Sequence, residues 1–250
     1  MNSYTVFVIH VSEGYNERKE HIDRELPKNG ISNYEYILDG DIKDLDSPVG
    51  KQLFSRSSRT KAEQSCFYKH YLAYKEMERR NIEFALILED DVILARNFPR
   101  NINNILTEIE HKTNYLINVE RAELCVPFYY RKFRNYIYPV NYSKLTGGYI
   151  IHRKVAEKIT KDVELNGATI PIDTFHGDMK NKLNYNLYWT EPCLVDQGSK
   201  DGTFASSIDG KLPSKIEIFK SRIKRRYRLL VWCHVNRRVT HLFRNVNEYK

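Results

Sequence analysis

The sequence lacks the features of a membrane-spanning, disulfide-stabilised or disordered protein. No apolar run approaches the roughly 20 residues that a transmembrane helix needs. The first residues form neither a basic leader nor a small-residue cleavage site, so they predict a strand rather than a signal peptide. The four cysteines are widely separated, which argues against a zinc knuckle or a disulfide framework. These absences predict a cytoplasmic chain with reduced thiols.

What the sequence contains is ordinary for a globular protein, apart from where its charge lies. Its 250 residues suffice for one large α/β domain or two small ones, and 41% are hydrophobic and 29% charged. The net charge of +8 is uneven, because residues 211–250 hold twelve cations and two glutamates. The remainder, 1–210, is therefore slightly acidic. We find no internal repeat or low-complexity linker, and predict a domain at 1–210 with a basic tail at 211–250.

The most informative stretch runs from Phe84 to Leu94, where five apolar residues lead directly into Glu89, Asp90 and Asp91. A continuous apolar run of this length is typical of a strand buried on both faces. Charges at its end are costly to bury without partners, and ligands bind beyond the carboxyl ends of strands in open α/β sheets. The stretch predicts either carboxylates that share a cation in a cleft or a solvated acidic turn.

Strand and helix patterns alternate along most of the chain. Strands are predicted at 4–11, 34–38, 84–88, 115–119 and 146–151, and helices at 16–26, 97–109 and 153–163. A further helix begins at the capping box Thr60–Glu63. Residues 41–58 read as a polar loop, 120–143 lack any period, and 170–173 and 187–192 read as short extended pieces. The alternation predicts an α/β fold with a mainly parallel central sheet flanked by helices.

Two of these segments resemble glycosyltransferase family 25, which contains bacterial lipooligosaccharide galactosyltransferases and collagen sugar transferases. The segments are 60–70 and 86–92, and the positions that fit the family pattern are Glu63, Cys66, His70, Glu89, Asp90 and Asp91. The chain departs from the pattern at Ala62, Ser65 and Lys69. Those departures keep open an alternative, a catalytically inactive sugar- or lipid-binding partner subunit.

Shorter segments extend the resemblance, in the right order, from about residue 4 to residue 208. They are 16–18, 38–40, 146–149, 171–173 and 192–197. The resemblance implies a GT-A type nucleotide-sugar domain and a metal-dependent, inverting transferase. It further implies transfer of a hexose, galactose from UDP-galactose, onto a lipooligosaccharide acceptor, with Mn²⁺ or Mg²⁺ as the cofactor.

The resemblance also implies roles for residues of the donor site. Asp91 is the expected metal ligand, and Asp90 and Glu89 are expected to touch the ribose or the diphosphate. Asp39 is expected near the nucleoside, although an Asp before Gly is also a common turn former. Arg18 is expected to pair with a phosphate, or else to be a solvated helix residue.

The remaining site residues lie further along the chain. His70 lines the donor site or is a satisfied core histidine. Asp173, expected on a loop, is the predicted base that takes the proton from the incoming sugar hydroxyl, unless it only caps a turn; Asp178 and His176 are the other candidates. Gln197 contacts the donor or completes the metal ligation.

The basic tail has three interpretations. The run Arg222–Arg228 followed by Leu229–Trp232 is typical of an amphipathic helix that docks on an anionic membrane surface, which predicts a peripheral protein of the inner membrane. The second interpretation is a terminal helix packed on the domain. The third, nucleic-acid binding, is disfavoured because the body is slightly acidic and carries no recognition motif.

Overall fold

A seven-stranded sheet forms the centre of the protein. The computed structural model describes residues 4–201, 204 and 214–243. In chain order the strands are β1 Thr5–Ile9, β2 Glu35–Ile37, β3 Phe84–Glu89, β4 Val92–Leu94, β5 Tyr115–Asn118, β6 Ile137–Pro139, β7 Gly148–His152, β8 Asn186–Thr190 and β9 Val195–Gln197. The large sheet has the order β2-β1-β3-β7-β5-β8-β6, and β4 pairs with β9 beside it.

Helices cover both faces of this sheet. They are α1 Asn16–Lys28, α2 Pro48–Phe54, α3 Lys61–Arg79, α4 Phe98–Ile109, α5 Arg153–Asn166, α6 Ile172–Asp178, α7 Gly198–Asp201 and α8 Lys215–Tyr227, followed by a short turn at Cys233–Val235. Within the described ranges, no helix combines the length and apolarity needed to cross a bilayer.

Five of the seven strands run in one direction, which confirms a mostly parallel sheet flanked by helices. β7 and β6 are the exceptions, and β7 lies antiparallel to both β3 and β5. The chain between β5 and β7 contains no crossover helix, which a parallel connection usually needs. The loss of periodicity in 120–143 is therefore linked to the reversed strand.

Two hydrophobic cores lie on the two faces of the sheet. Alternate residues of β3 point to opposite sides: Ala85 and Ile87 join the core beneath α3 and α5, whereas Leu86 and Leu88 join the core beneath α1 and α4. The alternation of side chains along the strands and the apolar stripes on the helices therefore both fit a three-layer arrangement, with helices on each face of the sheet. All four β3 side chains are essentially inaccessible to solvent.

The start of α3 confirms the predicted capping box. The Glu63 amide donates to the Thr60 hydroxyl over 3.2 Å, and the Thr60 amide donates to the Glu63 carboxylate over 2.9 Å. Each side chain satisfies an amide that the helix leaves without a partner. The device fixes the residue at which α3 begins.

Two loop predictions were wrong. Residues 41–58 contain a 3-10 turn, Ile42–Asp46, and helix α2, whose first turn is capped by the Ser47 hydroxyl. Leu53 and Phe54 give α2 a buried side, which outweighs the polar composition around it. Residues Ile172–Asp178 form α6 rather than an extended piece, so Asp173 lies in the first turn of a helix and not on a loop.

The C-terminal segment divides into an exposed and a packed part. The described part of the predicted tail begins at residue 214, and residues 211–213 and 244–250 lie outside the described residues. None of the α8 side chains described is buried. Further on, Cys233, Val239 and Phe243 are buried against the body. The tail therefore joins the body through its last described residues and through an ion pair between Arg225 of α8 and Asp196.

Candidate functional site

A cavity of about 330 Å³ opens at the carboxyl ends of β1 and β3. Its walls come from α1, the loop after β2, the first turns of α3, and the acidic end of β3; they include Arg18, Asp41, Ser65, Cys66, Lys69, Glu89 and Asp90. Both acids and bases therefore face one space. This is the position at which open α/β sheets bind ligands.

A second cavity of about 260 Å³ lies at the opposite ends of these strands, beside α4. Its lining includes Glu35 and Arg80, which pair with each other over 2.7 Å. Because these two are the only charged residues that the structure describes in its lining, whereas several acids and bases line the cavity at the acidic end of β3, the latter is the stronger candidate.

Asp90 is the most fully paired carboxylate of the acidic triplet. One oxygen lies 2.7 Å from Arg18 Nη1 and the other 2.7 Å from His10 Nδ1. Asp90 and Arg18 are 4% and 6% exposed, and removing one member of such a pair leaves an uncompensated buried charge. Arg18 is therefore a buried partner of Asp90 rather than a solvated helix residue.

Glu89 lies close to two of the predicted residues, His70 and Gln197, and to Thr146. The Thr146 hydroxyl and the Gln197 amide nitrogen donate to its two oxygens over 2.8 and 3.0 Å, and His70 Nε2 lies 3.7 Å away. Burial raises the pKa of Glu89, but the nearby His70 and Thr146 outweigh it, so the pKa lies below its ordinary value. The fold therefore brings Glu89, His70 and Gln197 together.

Asp91 differs from its neighbour in having one oxygen without a partner. Its Oδ2 accepts a hydrogen bond from the Ser199 amide over 3.1 Å. Its Oδ1 is buried and has no hydrogen-bond partner among the residues the structure describes. Burial, and then the charge of Glu89, raise the pKa of Asp91. A hard cation suits such an oxygen.

After β2, the cavity residue is Asp41 rather than Asp39. Asp39 is exposed and takes part only through its carbonyl, which accepts from Lys69 Nζ over 3.2 Å. Asp41 is buried, accepts from the Ser12 amide over 3.2 Å, and pairs with Lys69 over 2.8 Å. Gly40 between them has a φ of +93°, a conformation that favours glycine. Sequence reasoning missed Asp41, although the Asp-Gly-Asp pattern contains it.

Ser65 and Lys69, two of the residues that depart from the family pattern, line the cavity. Lys69 is 1% exposed and ties α3 to the end of β2 through Asp41 and the Leu38 carbonyl. The Ser65 hydroxyl donates to the Gly40 carbonyl over 2.8 Å. Both substitutions join α3 to the loop after β2, so they alter the cavity wall.

Asp173 does not line the cavity, but its charge acts on Cys66, which does. Burial raises the pKa of the Cys66 thiol, and the charges of Glu89, Asp173 and Asp90 raise it further. Asp173 is half-buried and its carboxylate accepts from the Thr174 amide over 2.7 Å. Asp178 lies at the other end of α6 and is exposed.

A chain of buried hydrogen bonds runs beneath the cavity. His70 Nδ1 lies 2.8 Å from the Tyr149 hydroxyl, which lies 2.6 Å from the Tyr74 hydroxyl. Tyr74 in turn lies 2.8 Å from His176 Nε2. Burial holds the pKa of His176 well below its ordinary value, and His176 is fully inaccessible to solvent. His176 therefore supports the wall and does not reach a substrate.

Comparison with known sequences gives a consistent result. The model of "Glycosyltransferase family 25 (LPS biosynthesis protein)" matches residues 4–176. The lipooligosaccharide biosynthesis protein lic2B of Haemophilus influenzae is 28% identical over 235 residues, which cover 86% of each chain. Procollagen galactosyltransferase 1 of Danio rerio is 29% identical over 177 residues, 60% of this chain and 28% of that protein. The chain thus spans less than a third of the zebrafish protein.

Among solved structures, one similar chain is a glycosyltransferase involved in the glycosylation of the major capsid of PBCV-1. It is 16% identical with a TM-score of 0.43, and the match covers 78% of this chain and 91% of that one.

Proposed function

The chain belongs to glycosyltransferase family 25, and on this premise we propose that it transfers a hexose from a nucleoside diphosphate sugar to a glycan acceptor. The observation that carries the proposal is the cavity at the end of β3, where Glu89 and Asp90 meet the buried cations Arg18 and Lys69. The likeness to enzymes named galactosyltransferases supports galactose as the transferred hexose, and UDP-galactose is the proposed donor. The likeness to lic2B supports a lipooligosaccharide acceptor.

Asp91 is the proposed ligand of Mn²⁺ or Mg²⁺. Its unpartnered Oδ1 suits a hard cation because carboxylate oxygen is the ligand that these ions prefer. When bound, the ion neutralises charge on the departing diphosphate. Asp90 holds Arg18 in place in the cavity wall, and Glu89 is held by Thr146 and Gln197 for contact with the donor.

Asp173 is the proposed base of an inverting single displacement. It is half-buried, and its charge raises the pKa of Cys66, a residue of the cavity wall, so a carboxylate lies near that wall. Taking a proton from the acceptor hydroxyl contributes typically 10²- to 10⁴-fold to a rate. The step gives a β-linkage from an α-linked donor.

Activity assays of single variants test these assignments. With UDP-galactose, Mn²⁺ and a lipooligosaccharide acceptor, we expect Asp91→Asn and Asp173→Asn each to lower kcat by about 100-fold or more. Asp46→Asn, an exposed carboxylate outside the cavity, serves as the matched control. Rates equal to the wild type in a folded Asp91→Asn variant would remove the metal role, and Asp178→Asn tests the other α6 acid.

The second candidate is a binding subunit without activity, which the departures at Ser65 and Lys69 favour because both alter the cavity wall. Calorimetric titration with UDP and Mn²⁺ separates the two candidates. Binding of UDP that depends on Mn²⁺ supports catalysis, whereas a folded chain that binds no UDP supports the subunit.

We propose further that α8 docks the protein on an anionic membrane surface. Ile216, Phe219, Ile223 and Tyr227 recur at spacings of three and four residues and are each more than half exposed. Lys220, Lys224 and Arg226 are exposed on the same helix. An apolar stripe beside cations is the pattern of an interfacial helix, and it begins earlier than the run Leu229–Trp232 considered from the sequence.

Vesicle sedimentation tests the docking proposal. Truncation at residue 211 is unsuitable, because it removes the buried Cys233, Val239 and Phe243. We expect the double variant Phe219→Ser with Ile223→Ser to lose binding to vesicles that contain anionic lipid, while Val49→Ser, an exposed apolar change on α2, keeps it. Unchanged sedimentation of the double variant would rule out docking through this stripe.

A further inference from the structure

We propose that Cys66, His70 and Glu89 form a second metal centre, suited to a thiolate-binding ion such as Zn²⁺ and separate from the ion assigned to Asp91. One ligand atom from each residue lies within 4.8 Å of the other two. In the described part of the chain, this is the one group of three such side chains that meets a metal-site geometry. The inference goes beyond the transferase assignment, which uses the all-oxygen site at Asp91.

The fold places the three ligands without strain. Cys66 and His70 are four residues apart on α3, so they lie one above the other on the same face. Glu89 is the last residue of β3, directly beneath that face. The packing of α3 on the sheet therefore sets the distances between all three.

His70 has a ring nitrogen directed into this group with nothing to bind. The histidine is 0% exposed, and its Nε2 has no hydrogen-bond partner among the described residues. The Glu89 oxygen is 3.7 Å away, which is too long for a hydrogen bond. A buried polar atom without a partner is costly, and an ion between His70 and Glu89 removes that cost.

The other ring nitrogen of His70 has the support that metal-binding histidines usually have. Such a histidine normally donates its second N–H to a neighbour, which fixes the tautomer and the ring orientation. Here Nδ1 faces the Tyr149 hydroxyl, and the chain continues through Tyr74 to His176 Nε2. When each group donates to the next in that order, Nε2 of His70 keeps its lone pair for the metal.

Glu89 is oriented in the same way. Thr146 and Gln197 each donate to one of its oxygens, which leaves each oxygen a lone pair for another partner. Ligating carboxylates are commonly held by hydrogen bonds of this kind. His70 is therefore held by the hydrogen-bond chain that runs through Tyr149 of β7 to His176 of α6. Glu89 is held by Thr146, just before β7, and by Gln197 of β9.

The ligand set determines the class of ion. A thiolate with an imidazole and a carboxylate matches zinc chemistry, whereas Mn²⁺ and Mg²⁺ prefer oxygen alone. Three protein ligands leave a coordination position open, and Cys66 and Glu89 both line the cavity. When bound, the ion supplies a Lewis acid at the α3 wall of the cavity, and it favours the deprotonated thiol.

Cobalt absorption tests the site without any activity measurement. We expect the full chain, stripped of metal with a chelator and titrated with Co²⁺, to develop a thiolate-to-cobalt charge-transfer band at one equivalent. Cys66→Ser should abolish the band, and Cys193→Ala, a buried cysteine away from the cavity, should keep it. Asp91→Asn should also keep it, because Asp91 belongs to the other site.

Two outcomes would overturn the proposal. One is a folded wild-type chain that binds Co²⁺ without a charge-transfer band, and the other is a band that survives in Cys66→Ser. Co²⁺ binding that shows no charge-transfer band and is lost only in Asp91→Asn would assign the metal to that site instead. The transferase proposal is tested separately, by Mn²⁺-dependent turnover.

A further variant separates a metal site from a merely structural cluster. Tyr149→Phe keeps all three ligands and breaks the hydrogen-bond chain at its first member. We expect the charge-transfer band to persist while Co²⁺ affinity falls about 10- to 100-fold. Unchanged affinity in a variant with wild-type circular dichroism would contradict the role of the chain in positioning His70.

Discussion

Helices α3 and α8 begin with the same device and then differ in every other respect. The box Thr60–Glu63 starts α3, and the box Ser214–Glu217 starts α8. α3 buries ten residues, including charged and polar ones, whereas α8 leaves its large apolar residues in solvent. Capping thus marks where a helix begins and says nothing about where its faces lie. The buried charge of α3 and the exposed apolar side chains of α8 are the unusual features. The first lies at the proposed donor site, and the second form the proposed membrane-docking surface.

The largest difference in stability between the two helices is expected when a phenylalanine of each is replaced by alanine. Phe67 on α3 is 1% exposed and packs edge-on against Phe54 and Phe175, so Phe67→Ala should lower the free energy of unfolding by about 3–5 kcal/mol. Phe219 on α8 is 65% exposed, and Phe219→Ala should change it by no more than about 0.5 kcal/mol. Urea denaturation measures both, and similar losses would contradict the contrast.

Lysine should show the next largest contrast. Lys69→Met removes the buried partner of Asp41 and two bonds to backbone carbonyls. We expect a loss of about 3 kcal/mol, the lower end for a broken buried pair, because Asp41 lines the cavity and keeps some access to water. Lys224→Met on α8 is the matched control and should have little effect. A stable Lys69→Met variant would mean that the ion pair does not hold α3 to the loop after β2.

The pH dependence of stability should also be set by a buried residue, His176. The pKa of His176 is well below its ordinary value in the folded protein, because burial disfavours the charged ring. Below about pH 6.5 the unfolded chain binds a proton that the folded one does not, so stability is full above that pH and is lost as the pH falls. Between pH 7.5 and 5.5 we expect a loss of about 1.4 kcal/mol from this group.

Denaturation at the two pH values, in wild type and variants, measures this effect. The difference between wild type and His176→Gln isolates the contribution of His176 from those of the carboxylates. Phe219→Ala on α8, which removes no titratable group, should keep the wild-type slope. A slope that is unchanged in His176→Gln would contradict the assignment.

The smallest contrast concerns the caps themselves. Thr60→Ala removes one capping hydrogen bond from a helix packed in the core, and should lower the free energy of unfolding by about 1 kcal/mol. Ser214→Ala removes the equivalent bond from α8, where little packing depends on it, and should leave global unfolding unchanged. Hydrogen exchange at the first turn of α8 should nevertheless accelerate in that variant.

The elements predicted best from the sequence are those that a few neighbouring residues specify. The Thr60 capping box and the apolar run into Glu89 specify α3 and β3 through neighbouring residues alone, and both are confirmed. α2 was missed because its burial depends on Leu53 and Phe54 meeting a distant core. The reversed direction of β7 was missed because direction depends on how the chain returns to the sheet, which residue types do not encode.

The candidate site shows the same limit. The acids at the end of β3 were identified because they adjoin a predicted strand. The sequence did not show which of them would be paired, because the partners of Asp90 are Arg18 and His10, which come from other parts of the chain. Asp41 was missed because only the turn at Gly40 decides which aspartate enters the cavity. The roles of Asp91 and Asp173 remain predictions, and the assays above test them.

Strand β3 contributes alternate side chains to both cores and pairs with β1 and β7 on its two sides. Its amides should therefore exchange with deuterium only when the whole domain unfolds. The carboxylates at its end are anchored to the slowest-exchanging part of the molecule. We therefore expect any adjustment to a ligand to come from α1 and the loop after β2 rather than from the acidic cluster.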